Sequence, residues 1–190
     1  MQQEKLTPEE GELLLKIARE NIDTYLKGDD YILPSDLPKI FYEKLGVFVT
    51  LSINSNLRGC IGYPEPYMEL INGLLDVSIA AAVQDPRFNP ISFSEFQKVK
   101  LEISVLTKPM LVEIKSFEDY FELLKVGNDG LIIENGHNRG LLLPQVPVEQ
   151  NWDLKTFLEN LCYKAGLNIN AWKDENTKIY SFQAQIFEEK

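Results

Sequence analysis

Apolar residues at Leu13, Leu14, Ile17, Ala18 and Ile22 recur every three or four positions, the spacing of a helix that buries one stripe. Thr7 stands at the N-cap, Pro8 suits the first helical position, acids fill the first turn and Gly28 lies past the last, so the pattern predicts a helix between Thr7 and Gly28. At 46–53 the period drops to two: Val47, Val49, Leu51 and Ile53 alternate with Phe48, Thr50 and Ser52, as in a strand with one buried face. Asn54, Ser55 and Asn56 read as a turn, which makes "LRGCIG" (57–62) the return arm of a hairpin. Residues 64–85 read as one long helix with Pro66 near its start, Gly73 inside it and a small-residue run, "SIAAA", suited to close packing. "DPRFNP" ends it, because Pro86 and Pro90 disfavour helical geometry at Asp85 and Asn89 and hold Arg87 and Phe88 on a stiff bend.

A second alternating strand covers 99–106, and 116–127 predicts a short amphipathic helix with Ser116 as cap and Gly127 beyond its end. Two apolar arms flank "NGHNRG" (135–140), a hairpin signal, and 151–167 predicts a helix stopped by Gly166. The last strand, 178–187, places Tyr180, Phe182, Ala184 and Ile186 on one face. Hairpins and interspersed helices without regular strand–helix–strand repetition predict an α+β fold: a mainly antiparallel sheet flanked by helices.

At 190 residues, 44% hydrophobic and 25% charged, the chain has the composition of one globular domain or of two unequal lobes. Its first residues lack the basic start and apolar core of a signal peptide, and no apolar run reaches the roughly 20 residues that span a bilayer, so a cytoplasmic protein is expected. There Cys60 and Cys162 are expected to be free thiols. The net charge of -10 opposes binding to phosphate backbones, and the basic residues are scattered, so nucleic acid is the weakest of the functional readings. Glycine-rich phosphate loops, HExxH, CxxC and GxSxG are all absent, and with one histidine and two separated cysteines neither a metal nor a cofactor is expected.

What remains is a constellation around the hexapeptide. Cys60 becomes a nucleophile if a cation such as Arg58, or the lone histidine His137, favours its thiolate; otherwise it is a small apolar filler, as buried cysteines often are. Alternation puts Arg58 and Cys60 on one face only if the strand runs regularly through Gly59. Gly59 and Gly62 either adopt positive φ and turn N–H groups toward an anion, or mark a bulge or tight turn. Asp85, Arg87 and Phe88 form either the rim of a cleft or a local cap and ion pair. Cys162, Trp152 and Trp172 read as packing residues.

"GVFVTL", "LRGCIG", "DPRFNP", "LEISVL" and "GLLLPQVPVEQNW…FLENLCYKAGL" follow one another in an order that resembles the AMMECR-one domain family, the match spanning nearly the whole chain. The resemblance implies a single domain, 1–190, with two unequal lobes. The larger carries both chain ends, the smaller comes from the middle, and the signature hexapeptide lies near the cleft between them. It also implies a microbial setting beside a Memo-type protein and a radical S-adenosylmethionine enzyme, with no defined biochemical activity. Its candidate residues fall on Leu57, Arg58, Gly59, Cys60, Ile61 and Gly62. The first reading is a binding or accessory module for a small ligand or protein partner, using Arg58, Gly59, Cys60, Ile61, Gly62, Asp85, Arg87 and His137. The alternative is a thiol-dependent enzyme in which Cys60 attacks and His137 or a carboxylate moves the proton.

Overall fold

The structure, a computed structural model, describes residues 5–190. The chain divides into two compact units, one running through Leu106 and taking back Gln185–Lys190, the other spanning Thr107–Ala184. In chain order the first stretch forms α1 (Pro8–Lys27), β1 (Gly46–Ile53), β2 (Asn56–Tyr63), α2 (Leu70–Val83), α3 (Phe93–Phe96) and β3 (Lys100–Leu106). Then come β4 (Met110–Leu111), α4 (Tyr120–Leu123), β5 (Gly130–Asn135), β6 (Asn138–Leu142), α5 (Gln145–Glu149), α6 (Leu154–Lys164), β7 (Lys178–Phe182) and β8 (Ala184–Glu188). They build two four-stranded antiparallel sheets with helices, an α+β fold.

The first unit's sheet has the order β2-β1-β3-β8. α1 begins as its sequence predicts, with a capping box in which Glu10 N–H donates to Thr7 Oγ1 and Thr7 N–H donates to the Glu10 carboxylate. The hairpin turn is tighter than expected: Asn54 (φ 51°) and Ser55 (φ 64°) suffice, both left-handed as the twist of paired strands requires, and Asn56 already belongs to β2. α2 starts at Leu70, six residues later than the expected start at Pro64. Pro64 and Pro66 resist helical geometry before them, Lys44 and Glu69 form a bridge, and Leu70 N–H donates to the carbonyl of Glu43.

Val47, Val49, Leu51, Leu101, Ile103 and Val105 face α1 and α2 in one apolar core. Two glycines permit this approach. A Cβ on Gly73 would sit 3.1 Å from Val47 Cγ1, and one on Gly59 would overlap the main-chain oxygen of Ala81. By alternation, Phe48, Thr50, Cys60, Glu102 and Ser104 project from the other face. The C-terminal segment is tied down by Arg19, whose guanidinium pairs with Glu189, while Leu101 N–H donates to the Glu189 carboxylate at 2.9 Å.

The second unit's sheet runs β4-β7-β5-β6 over a core of Leu131, Ile133, Phe157, Leu161, Cys162 and Trp172. Gly136 and His137 turn the β5–β6 hairpin. The predicted helix at 116–127 shortens to a 3-10 turn, Phe117–Asp119, and the four residues of α4. The final strand is two strands, not one. Thr107 N–H donates to Gln183 O and Gln183 N–H to Thr107 Oγ1, both at 2.8 Å, and there the chain leaves one sheet for the other. The predicted face is lost with the break: Ile179 and Phe182 are buried, while Ile186 is exposed. Among the described residues no helix is long and apolar enough to cross a membrane.

The contact at Gly59 gives a test of the packing. Gly59→Ala forces β2 from α2 against a main-chain atom that cannot rotate away, and is expected to cost about 1–3 kcal/mol or more. Urea unfolding measures it; an unchanged midpoint would mean that α2 yields freely at Ala81.

Candidate functional site

β2 is an edge strand, and its register with β1 slips between Leu51 and Ser52: Leu51 pairs with Gly59, Ser52 with Leu57, and Arg58 is the extra residue of a bulge. The regular strand needed to place Arg58 beside Cys60 is therefore absent. The bulge instead aims Arg58 at α3, where Nε donates to Glu95 Oε1 at 2.6 Å and Nη2 to Glu95 Oε2 at 3.1 Å and Asn89 O at 2.9 Å. Ser92 caps α3, its Oγ accepting from Glu95 N–H, and so fixes that carboxylate. Arg58 holds the Glu95 carboxyl below its usual range, with burial opposing.

The open edge of β2 is closed by side chains. Cys60 N–H donates to Asp85 Oδ2 at 2.8 Å, and Arg87 Nη2 donates to Cys60 O at 3.1 Å. Arg87 also gives Nε to Asp85 Oδ1 (2.9 Å), Nη2 to Oδ2 (2.7 Å) and its own main-chain N–H to Oδ1 (3.0 Å). The Asp85 side chain is 2% exposed and that of Arg87 54%. The Arg87 guanidinium holds the Asp85 carboxyl far below the usual carboxylate range against the cost of burial, with the Cys60 and Arg87 main-chain N–H groups adding to it. Asp85 and Arg87 thus form the local ion pair and brace the hexapeptide as well. Phe88 lies beside both cations, its ring centre 5.7 Å from the Arg58 guanidinium carbon and 5.6 Å from that of Arg87.

Cys60 is half-exposed on the face turned away from the helices, which corrects the reading of a buried filler; the buried thiol is Cys162. Strand parity decides this, since Gly59 and Ile61 take the core side. Thr50, opposite Cys60 in the ladder, donates its hydroxyl to Sγ at 3.3 Å. Thr50 also faces Glu102 on β3. Burial, then the nearby Glu188, pushes the Glu102 carboxyl up. Gly59 and Gly62 are extended strand residues with no positive φ, so the anion-cradling reading gives way to close packing, Gly62 against the Phe48 ring. His137 sits exposed on the β5–β6 turn in the other unit.

Glu95, Thr50, Asn89 and Glu102 escape the sequence reading. "SFSE" (92–95) has the Ser-x-x-Glu form of a capping box and signals α3; Thr50 and Glu102 follow only from the register. Among the described residues no group of three or more His, Cys, Asp and Glu side chains is placed to hold a metal ion.

A family model described as AMMECR1 matches residues 15–187. A protein of Methanococcus aeolicus is 54% identical over 98% of this chain and 94% of its own. One of Methanocaldococcus jannaschii is 49% identical over 97% and 92%. The crystal structure of an uncharacterised Pyrococcus horikoshii protein aligns with TM-score 0.83 and 46% identity, covering 97% of this chain and 94% of that one.

Two carboxylates here predict opposite pH behaviour. Asp85 is more acidic folded than unfolded, so its stabilisation is present above the ordinary carboxyl value near 3.9 and is lost as pH falls below it. Asp85→Asn should cost about 1–3 kcal/mol at pH 7, with the gap to wild type narrowing below about pH 4. Glu102 is less acidic folded, so the stability of its protonated form is present below the ordinary value and lost as pH rises through the raised one. Glu102→Gln should stabilise the protein at pH 7.5 and lose that advantage in acid. Urea midpoints across pH read both; a pH-independent difference contradicts either assignment.

Proposed function

The chain belongs to the AMMECR1 family, and on that premise we propose that it works as a binding module, taking a small ligand where Arg58, Cys60, Arg87 and Phe88 meet at the β2 edge. One observation carries the reading. The hydrogen-bond partner of the Cys60 thiol is a hydroxyl, Thr50, which takes no proton at neutral pH, and the cation nearest in the chain of contacts, Arg87, holds the Cys60 main-chain carbonyl. The thiol is rigidly presented but has no general base among the contacts described. Asp85, Glu95 and the two glycines hold this surface in place. In the setting that the family resemblance suggests, the module serves beside a Memo-type protein and a radical S-adenosylmethionine enzyme.

The thiol-enzyme reading keeps a specific support, because Cys60 is half-exposed on the face turned away from the helices. Alkylation rate against pH separates the two readings: reactivity that saturates well below the ordinary thiol range favours the enzyme.

A thermal-shift screen of small metabolites tests the binding module. A ligand at about a hundred times its Kd adds about 2.7 kcal/mol, a rise of several degrees. Stabilising compounds are expected, and their effect should disappear when Cys60 is capped by methanethiosulfonate and in Phe88→Ala. Stabilisation that survives both changes, or its absence across the library, would refute the site.

A further inference from the structure

Resting on that binding reading, we propose that the Arg87–Phe88–Arg58 cluster recognises an oxyanion, the carboxylate or phosphate group of a small molecule, through the Nη1 amino groups of the two arginines. Both side chains use the same three donors on the protein itself. Arg58 spends Nε and Nη2 on Glu95 and Asn89 O, and Arg87 spends Nε and Nη2 on Asp85 and Cys60 O. Nη1 takes part in none of these bonds, which leaves two N–H donors on each guanidinium. The Arg58 side chain is only 16% exposed, yet its Nη1 is not sealed off: the buried side-chain nitrogen or oxygen lacking a partner among the described residues is Trp172 Nε1. Arg87 is more open and is the principal anchor.

The mounting is what suits these donors to a ligand. A surface arginine loses side-chain entropy when it closes on an anion, and that loss lowers affinity. Here carboxylates already fix both forks, so an arriving oxyanion meets oriented N–H groups. Phe88, shared by the two cations, supplies an apolar face beside them for the rest of the molecule. Asp85 and Glu95 neutralise the pair locally and the chain carries -10 overall, so attraction comes from short-range hydrogen bonds rather than from the protein's field. That favours a small, directional ligand over a polyanion.

The test uses side-chain NMR of the arginine Nε–H groups of the whole chain. Inorganic phosphate and succinate are the probes, with succinamide as the uncharged control. Saturable shifts at Arg87 and Arg58 are expected with one or both anions and none with succinamide. Preference for phosphate identifies a phosphorylated ligand, and preference for succinate a carboxylic acid. Arg87→Lys keeps a cation beside Asp85 but removes the fork, and should weaken binding about tenfold or more. If that variant fails to fold, the wild-type shifts still decide. Anions that shift neither arginine, or bind Arg87→Lys and Arg58→Lys as tightly as wild type, overturn the proposal. Should uncharged compounds in the thermal screen depend on Phe88 and Cys60 while anions do not bind, this inference falls and the binding module stands; should nothing of either charge bind, both fall.

Discussion

An edge strand offers main-chain N–H and C=O groups to whatever arrives beside it, and β2 would do so at Cys60 but for one carboxylate. Asp85 takes the N–H, and the guanidinium it orients gives a hydrogen bond to the C=O, so two side chains stand where a neighbouring strand would. Everything else in the site follows from that clamp. It ties the bend after α2 to the main chain of Cys60 and leaves the Arg87 guanidinium beside the Phe88 ring.

Holding a carboxylate at 2% exposure is costly, and the cluster offsets the cost by hydrogen bonding every available direction: three donors from Arg87 and one from Cys60. Apolar side chains of similar volume would stabilise such a bend as well or better. What charged groups add is definition, because a forked guanidinium on a carboxylate tolerates little displacement. Arg58 and Glu95 repeat the device one bulge earlier, so two forks set the geometry of a short stretch of strand from its outer side.

Much of this architecture was legible in the pattern of residues, and the parts that were not share a cause. α1 shows itself through its cap, its stripe and its terminal glycine, all local signals, and the alternation of 46–53 marks β1 for the same reason. The break at Gln183 is invisible to periodicity, which continues unchanged while the chain changes sheets. The early start assigned to α2 took Pro66 as a first-turn residue, whereas Pro64 and Pro66 keep the chain before Leu70 out of the helix. In the site, Asp85, Arg87 and Phe88 stand out because prolines bracket them. Glu95 lies in a helix of four residues, too short for any periodic signal, and Thr50 becomes Cys60's partner only once the Arg58 bulge has shifted the register.

Read position by position, the hexapeptide divides its labour. Leu57 is exposed, Arg58 is thrown outward by the bulge, and Gly59 lets the strand lie against Ala81. Ile61 joins the core, and Gly62 leaves room for the Phe48 ring. Cys60, the remaining position, has both main-chain polar groups bound by side chains and its own side chain turned to the sheet's other face beside a hydroxyl. A residue needed only for volume would require neither clamp nor hydroxyl. The clamp holds the main chain of Cys60 and the hydroxyl its side chain, so Asp85, Arg87 and Thr50, none of them in the hexapeptide, set where the thiol stands, while its five neighbours bend the strand or pack it.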